Sequence, residues 1–220
     1  NLGAFFTSDP RGPKVLEFLA QLADQFIRRQ ESQLKEVAAL QKNVEHIKEI
    51  VAMQQSYAKV SGLTESLRPV ELLDGALRMN AGAFQEHEVE LVCEVAADLP
   101  CVCVDKHKVL QILVNILRNA KHACEDADRP DKRITVRAVS ANERVRITVA
   151  DNGVGIPPEN LNRIFSHGFT TKKEGHGFGL HSSALAAKEM GGSLTVRSDG
   201  PGQGATFTLE LPVDRTPPAA

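Results

Sequence analysis

The segment from Val145 through Asp151 to Gly155 constrains the fold more than any other part of the chain. Apolar β-branched residues alternate with their neighbours from Val145 to Val149, and Asp151 follows directly before an Asn-Gly pair. This pattern predicts a strand with one buried face that ends in a tight turn. Glycine at 153 and 155 lets the backbone come close to a flat ligand. The segment therefore predicts that Asp151 lies at a strand end, where its carboxylate can accept a hydrogen bond from an amine or an ordered water.

A second glycine cluster, Gly175-His-Gly-Phe-Gly179, lies further along the chain and leads into an apolar-periodic segment from Leu180 to Met190. Glycines that open a helix expose backbone N–H groups, and these groups with the positive end of the helix receive phosphate well. A glycine triplet alone is also typical of a flexible surface loop. Its pairing with the first turn is what favours a ligand site.

A third element can hold a metal. The segment from Gln111 to Ala120 has the pattern of a helix, with Asn115 and Asn119 one turn apart on the same face. Two carboxamide oxygens on one face suit a hard cation such as Mg²⁺, which keeps most of its waters and takes its other ligands from phosphate.

With these motifs the chain resembles the catalytic part of a bacterial sensor histidine kinase, in the superfamily that also holds gyrase-type topoisomerases, Hsp90-type chaperones and MutL-type repair proteins. The resemblance rests on an N box, a G1 box, an F box, a G2 box and a final glycine motif, in the family's order. In this sequence they are Asn115-x-x-x-Asn119-Ala-x-x-Ala123, Asp151-x-Gly153-x-Gly155-Ile156, Ile164-Phe165 with Phe169, Gly175-x-Gly177-x-Gly179-Leu180, and Gly202-x-Gly204-Ala-Thr206-Phe207.

The resemblance implies an ATP site with Mg²⁺ as its metal. Asp151 would bond the adenine amino group, Asn119 would ligate Mg²⁺, and Asn115 would support the metal directly or through water. The rest of the implied site comprises Gly153, Gly155, Ile156, Phe165, Gly175, His176, Gly177, Phe178, Gly179, Leu180 and Thr206, with His122, Lys172 and Lys173 as candidates for phosphate contact. Thr206 lies where the family closes the floor of the pocket.

One position bears on the reaction. The resemblance implies that the ATP-hydrolysing relatives carry Glu where this chain has Asn115, and that this Glu activates water. A carboxamide is a poor general base, so attack of water on the γ-phosphate should be slow. Transfer to an imidazole nitrogen instead needs positioning and charge neutralisation more than a protein base. The resemblance therefore favours a protein-histidine kinase over an ATPase.

The N-terminal part of the chain predicts one very long helix. Between residues 14 and 60 there is neither glycine nor proline, and apolar residues recur three and four apart, as at Leu19, Leu22, Phe26, Val37, Leu40, Val44, Ile47 and Val51. Such a heptad-like stripe needs partner helices. We expect this helix to be the second of a dimerisation hairpin, with residues 1–7 the end of the first, and two hairpins to form a four-helix bundle in a homodimer.

The phosphoacceptor histidine is not identified by the sequence. In the family it lies on the first helix of the hairpin, in a His-Glu/Asp-x-x-Pro pattern. His46 is the one histidine of the long helix, and it lacks that pattern. We therefore interpret His46 as a polar or partly packed bundle residue, and we expect the acceptor upstream of Asn1.

The remaining patterns predict an α+β fold, a two-layer sandwich of a mixed sheet with helices on one face, preceded by the helical hairpin. The predicted domains are residues 1–62 for dimerisation, residues 63–214 for ATP binding, and a disordered tail at 215–220. Within the second domain we predict a helix beginning near Leu72, an N-box helix capped by Asp105, a mobile lid at about 156–178, and strands at Glu88–Val95, Cys101–Val104, Ile134–Val139, Arg144–Ala150, Ser193–Ser198 and Ala205–Leu211.

Composition limits the partners. The net charge of −2 provides no basic footprint for nucleic acid. No apolar run approaches the roughly 20 residues that span a bilayer, so membrane attachment would require a segment upstream of this one. We expect a cytoplasmic location, with the receiver domain of a response regulator as the partner that accepts the phosphoryl group on an Asp.

Several residue types admit a plainer interpretation. The four cysteines are expected to be small buried side chains in a reducing compartment, with a metal or disulfide role as the alternative. Lys172 and Lys173 are either a phosphate clamp or a solvated pair. His122 is a candidate for a weak contact with phosphate. His167, His176 and His181 either contact the nucleotide or are solvated. Phe165 and Phe169 pack the lid or stack on adenine.

Three functions remain open at this point. The first is an ATP-dependent autokinase that phosphorylates a histidine of its own dimer and passes the phosphoryl group to a response regulator. The second is an ATPase-type conformational clamp, and the third is a nucleotide-gated binding module without catalysis. The Asn at 115 and the long helix favour the first.

Overall fold

The computed structural model describes residues 11–58, 64–86, 89–172 and 177–214. The chain divides into two compact units, Asn1–Gln54 and Gln55–Ala220. Residues 1–7 and 215–220, for which a first hairpin helix and a tail are predicted, lie outside the described residues, so both stay predictions. None of the helices in the described ranges has the length and apolar character needed to cross a bilayer.

The long N-terminal helix is present as α1, Gly12–Ala58. It lacks glycine and proline after its first turn, as predicted. Its apolar side chains are largely exposed: Val15, Phe18, Leu19, Phe26, Ile27, Leu34, Val37 and Leu40. An exposed stripe of this length is typical of a helix that packs against partner helices. The side chain of His46 lies outside the part of the chain that the structure describes.

The remaining helices and strands follow in an order close to the predicted one. They are β1 (Glu65–Leu67), α2 (Pro69–Glu86), β2 (Glu90–Val95), β3 (Val102–Val104), α3 (Lys106–Glu125), β4 (Arg133–Ala141), β5 (Arg144–Asp151), α4 (Pro158–Leu161), α5 (Gly179–Glu189), β6 (Ser193–Arg197) and β7 (Ala205–Pro212). The sequence patterns gave no sign of β1, which is three residues long, or of α4, which is a single turn.

The main sheet has five strands in the order β2-β4-β5-β7-β6. β2 runs parallel to β4, and the other neighbouring pairs are antiparallel, so the sheet is mixed. In the register, Asp151 at the end of β5 lies opposite Ile134 on one side and Ala205 on the other. β1 and β3 form a separate antiparallel pair. Asp151 is therefore the last residue of the central strand β5, with neighbouring strands on both sides.

One face of the sheet is covered by α2, α3 and α5. Alternate residues of β4, β5 and β7 are buried, and they pack on the apolar face of α3, which includes Ile112, Leu113, Ile116 and Leu117. Each such side chain contributes about 1.5–3 kcal/mol when fully buried. The opposite face carries charged pairs such as Arg137 with Glu94 and Arg146 with Glu210. The α+β sandwich with helices on one face is thus confirmed.

The N-box helix α3 has the predicted ends. Asp105 is its N-cap, and its carboxylate accepts hydrogen bonds from the backbone N–H groups of His107, at 2.9 Å, and Lys108, at 3.3 Å. Such a cap satisfies donors that the first turn leaves free. Asp126 is the C-cap. Because both ends are fixed, the face that carries Asn115 and Asn119 has a defined direction over the sheet.

The expectation for the cysteines is wrong in part. Cys124 is buried, but Cys93 and Cys103 are exposed. Cys103 lies between Val102 and Val104, which are both buried, so alternation along β3 turns its side chain outward. Cys93 lies on β2, an edge strand of the sheet, where helix coverage is incomplete.

Candidate nucleotide-binding site

Asp151 forms one end of the candidate site. Its Oδ1 accepts hydrogen bonds from the backbone N–H of Gly153, at 2.9 Å, and of Ala205, at 3.3 Å. The residue is 8% exposed. Both hydrogen bonds go to Oδ1, which leaves Oδ2 as the oxygen that can accept from a ligand.

Burial raises the pKa of Asp151 to about 6, although the hydrogen bonds from Gly153 and Ala205 act in the opposite direction. A carboxylate with a raised pKa in a pocket is typical of a functional position, because it is ionised at neutral pH at a cost to the fold. The charge is therefore kept where a donor from a ligand can compensate it.

The turn after β5 is docked on the end of α3. A Cβ at Gly153 would lie 2.3 Å from the carbonyl carbon of Ala123, so only glycine fits there. The next residue, Val154, donates its N–H to the Ala123 oxygen at 3.0 Å. This contact fixes the Asp151 turn to the helix that carries Asn115 and Asn119.

The same turn crosses the loop between β6 and β7. Gly155 has φ +71°, and a Cβ there would lie 2.1 Å from the Gly200 oxygen. Ser198 fastens the crossing: its Oγ accepts from Ile156 N at 2.9 Å and donates to the Gly204 oxygen at 2.6 Å. The base end of the site is therefore built from backbone held by short, direct contacts.

Thr206 lies on the other face of the sheet from Asp151. In β7 the buried residue opposite Asp151 is Ala205, while Thr206 lies opposite Ala150 and Arg197. Because side chains alternate along a strand, Ala205 and not Thr206 faces the side of the sheet where Asp151 lies. The backbone N–H of Ala205 is the part of this motif that contacts Asp151.

Asn115 packs against the start of α5. Its Nδ2 donates to Ser183 Oγ at 3.0 Å. A Cβ at Gly179 would lie 2.5 Å from Asn115 Oδ1, so the carboxamide rests against the glycine backbone. Ser183 is only 4% exposed. The structure thus brings the N box and the G2 box into direct contact through Asn115.

Asn119 already contacts a cation. Its Oδ1 accepts a hydrogen bond from Lys172 Nζ at 3.0 Å. Lys172 as a residue is exposed, but partial burial of its ammonium end, with Arg118 nearby, lowers its pKa. The ammonium group is a stand-in for a positive ion at the Asn119 oxygen, so this residue fits a hard cation. Asn119, with Asn115 beside it, would hold Mg²⁺, which neutralises phosphate charge when it is bound.

His122 lies one turn beyond Asn119. Its Nδ1 is 2.8 Å from Glu125 Oε2, and Lys121 Nζ is 3.1 Å from Glu125 Oε1. Burial and the charge of Lys172 lower the pKa of His122, and Glu125 partly offsets them. Burial alone would raise the pKa of Glu125, but its close contacts with Lys121 and His122 hold the pKa below its ordinary value.

The lid is fastened to the start of α5. His181 Nδ1 is 2.9 Å from the Phe165 oxygen, and the His167 ring lies 4.8 Å from that of Phe178. Phe165 and Phe169 pack against the core, and Arg163 lies over the Phe169 ring at 4.7 Å. These contacts are those expected if both phenylalanines pack the lid.

The remaining candidates are placed as follows. Gly177 has φ +72° and meets the backbone of Gly168, while Ile156 and Leu180 pack against the core. Lys173, Gly175 and His176 lie outside the described residues. Their roles stay predictions.

Some contributors to the site were missed by the sequence patterns. They are Ser183, Ser198 and Glu125, together with the Ala205 N–H. The two serines and the Ala205 N–H carry no spacing signal, since their partners are distant in sequence or are backbone atoms. Glu125, three residues after His122 on one helix, is the one that i,i+3 spacing could have indicated.

Comparison with known proteins identifies the family. Residues 104–215, about half of the chain, match the family described as histidine kinase-, DNA gyrase B-, and HSP90-like ATPase. The chain is 29% identical to the sensor protein FixL of Bradyrhizobium diazoefficiens over 94% of this chain and 37% of that protein. It is 35% identical to the sensor histidine kinase ZraS of Salmonella typhi over 70% of this chain and 34% of that protein.

A solved structure agrees with these matches. The crystal structure of full-length ShkA in complex with AMPPNP has a TM-score of 0.63 and 28% identity, over 72% of this chain and 33% of that one. The chain thus spans about a third of the length of the curated relatives it matches. With its motifs, fold and site in agreement with these matches, the chain belongs to the histidine kinase-, DNA gyrase B-, and HSP90-like ATPase family, among its sensor histidine kinases.

Proposed function

We propose that this chain is the ATP-binding catalytic part of a protein-histidine autokinase. It would bind ATP with Mg²⁺ and deliver the γ-phosphate to a histidine on a dimerisation helix, from which an Asp of a response regulator takes it. The observation that carries the proposal is the Asn115 carboxamide, held by Ser183 and against Gly179, at the position where the hydrolysing relatives carry Glu.

The base would bind at Asp151. The adenine amino group donates to the ionised carboxylate, whose other donors, Gly153 and Ala205, already occupy Oδ1. Because the contact is made at a buried carboxylate, the hydrogen bond is charge-assisted and strong. This contact selects a purine with an exocyclic amine over one without it.

The phosphates would bind along α3. Asn119, Lys172 and His122 lie near one another on this side of the site, and Lys172 supplies positive charge. Mg²⁺ at Asn119 requires that the Lys172 ammonium leave the carboxamide oxygen, and phosphate oxygens are its natural next partner. Lys173 and the glycines of the G2 box, Gly175, Gly177 and Gly179, would complete the phosphate contacts.

The transfer itself needs little from the protein beyond position. An imidazole nitrogen attacks the γ-phosphorus, the bond from phosphorus to the ADP oxygen breaks, and the imidazole loses its N–H proton to solvent. The nucleophile comes from another helix, so the site needs access rather than a base. Neutral Asn115 gives no activation to a competing water.

The exposed apolar stripe of α1 supports dimerisation. Phe18, Phe26, Leu34 and other large side chains are exposed along the helix, and burial in a four-helix bundle of two hairpins would cover them. We propose that residues 1–62 dimerise, residues 63–214 bind ATP, and residues 215–220 form a tail. The receiver domain of a response regulator is the proposed partner, and the proposed location is the cytoplasm.

The test uses γ-labelled ATP with this chain and with the longer protein that carries a complete hairpin. Acid-labile, base-stable label on the longer protein, absent from its D151N variant, is the expected result. Many turnovers of free phosphate without protein label would instead indicate an ATPase clamp. Tight nucleotide binding without consumption in the longer protein would indicate a binding module, and either result would overturn the proposal.

A further inference from the structure

The last turn of α3 carries an ion-pair network that the proposed reaction does not use. The Glu125 carboxylate lies between Lys121, at 3.1 Å from Oε1, and His122, at 2.8 Å from Oε2. The side chains of Lys121 and Glu125 are 13% and 19% exposed, while that of His122 is 40% exposed. The carboxylate is therefore largely buried, and the imidazole has one edge toward solvent.

The contact between His122 and Glu125 determines which ring nitrogen can bind a ligand. Glu125 accepts from Nδ1–H, so Nε2 is the ring nitrogen left for a ligand. A carboxylate at Nδ1 fixes the ring and stabilises the imidazolium when a proton is added at Nε2. An anion that approaches Nε2 favours the same protonated form, so the ring would carry a proton between two negative groups.

The position of His122 indicates that the anion at Nε2 is a phosphate of the nucleotide. It lies one helical turn after Asn119, on the same face, and the Lys172 ammonium that contacts Asn119 Oδ1 is near enough to act on the His122 charge. The charged groups that act on the ring are Glu125 and Lys121 on α3 and Lys172 after α4. Any phosphate that reaches Asn119 and Lys172 comes into the neighbourhood of this ring.

We propose that Glu125 is a positioning residue for phosphate recognition, which holds the His122 ring through Nδ1 so that Nε2–H donates to a phosphate oxygen of the nucleotide. This inference rests on the proposed ATP site. Glu125 should therefore affect ligand affinity only through His122, and only for ligands that carry phosphate.

The plainer interpretation is that Glu125 stabilises the end of α3. In that case its loss would lower the melting temperature and weaken every ligand alike. The two interpretations differ in three measurements: ATP against adenosine, the effect of Glu125 when His122 is replaced, and the protons taken up on binding.

The test is calorimetric titration of ATP and of adenosine into the wild-type chain and into E125Q, with thermal melts of each. We expect E125Q to bind ATP about three- to tenfold more weakly, because a charge-assisted hydrogen bond becomes a neutral one. Adenosine affinity should not change. A matched control is E189Q, which removes the carboxylate that pairs with Lys108 at 2.7 Å on the same domain and should leave both affinities as they are.

A second arm isolates the route through His122. Arginine at 122 is charged without help from Glu125, so E125Q should have no effect on ATP affinity in an H122R background. Titrations in buffers of different ionisation enthalpy should show more proton uptake with ATP in the wild type than in E125Q, and the least in H122R. The ATP phosphate and Asp151 contribute equally in all three proteins, so the differences report on His122.

The outcomes separate this inference from the proposed function. If the wild type binds neither ATP nor adenosine, the proposed ATP site is wrong. If the wild type binds ATP and E125Q binds it equally well, or E125Q still weakens ATP in the H122R background, Glu125 does not act through His122. Equal weakening of ATP and adenosine by E125Q would assign Glu125 a structural role only.

Discussion

The two ends of the candidate site are built in different ways. The base end, around Asp151, is made of backbone: Gly153 against Ala123, Gly155 against Gly200, and N–H groups on a buried carboxylate. The phosphate end, around Asn119, is made of side chains on exposed or half-exposed positions, such as Lys172 and His122. The first is inseparable from the fold, whereas the second can change without disturbing it. Substitutions should therefore change the stability of the fold at one end and ligand affinity alone at the other.

The largest effect is expected at Gly153. In G153A the added Cβ would meet the Ala123 carbonyl carbon at 2.3 Å, so the turn and α3 must separate. We expect a loss of about 3 kcal/mol in the free energy of unfolding, together with loss of ATP binding. Urea unfolding measures the first. The control is G82A, an exposed position on α2 with nothing within 4 Å of the new atom, which should gain about 0.5–1 kcal/mol. Equal stability of G153A and wild type would refute the docking.

Asp151 should show a trade between function and stability. Its folded pKa of about 6 lies above the ordinary aspartate value of 3.8, so ionisation opposes folding. This cost is complete above pH 6, shrinks between pH 6 and 4, and is absent below. Asparagine can still accept the hydrogen bonds from Gly153 and Ala205. At pH 7.5 the free energy of unfolding of D151N should therefore be about 2–3 kcal/mol higher than that of the wild type. Its affinity for ATP should be about 100-fold lower.

Urea titrations at pH 7.5 and pH 4 measure the difference in free energy of unfolding between D151N and the wild type. The extra stability of D151N should disappear at pH 4. A D151N protein that is less stable than wild type at pH 7.5 would show that burial does not disfavour the charge. Unchanged ATP affinity would remove Asp151 from the site.

The pH dependence of base recognition should follow the same carboxylate. As the pH falls from 7.5 to 5, Asp151 takes up a proton. Because pH 5 is one unit below its pKa of about 6, about a tenth of the carboxyl stays ionised, and adenosine affinity should fall about tenfold. Adenosine is the suitable probe because it carries no phosphate that titrates in this range. The profile of D151N should be flat. A wild-type profile that is flat across pH 6 would contradict the assignment.

The smallest effect is expected at Lys172. This residue is exposed, so K172M should weaken ATP binding only about two- to fivefold, with adenosine affinity and the melting temperature unchanged. K188M, at an exposed position on α5, is the matched control. A loss of adenosine affinity in K172M would mean that the lysine shapes the base end as well, and the contrast between the two ends would fail.

The same contrast explains what could be predicted from sequence. The strand ending at Asp151, the cap at Asp105 and the helix of Asn115 and Asn119 follow from local patterns of alternation, capping and helical spacing, and all are present. The long helix α1 followed from the absence of glycine and proline.

Contacts between distant segments could not be predicted in this way. Nothing local marks Ser183 as the partner of Asn115, or Ser198 as the group that joins the two loops. The facing of Thr206 depends on the register of β7 against β5, and a shift of one residue reverses it. The exposure of Cys93 depends on how far the helices cover the edge strand.

The contact between Asn115 and Gly179 has an evolutionary consequence. Because the carboxamide rests where a side chain at 179 would begin, the two positions form one steric unit although they belong to separate motifs. A longer acid at 115 would need room beside Gly179 and would lose the amide that donates to Ser183. Glutamate at 115 would therefore have to be accommodated by changes around Gly179 and Ser183 as well, rather than by a single substitution.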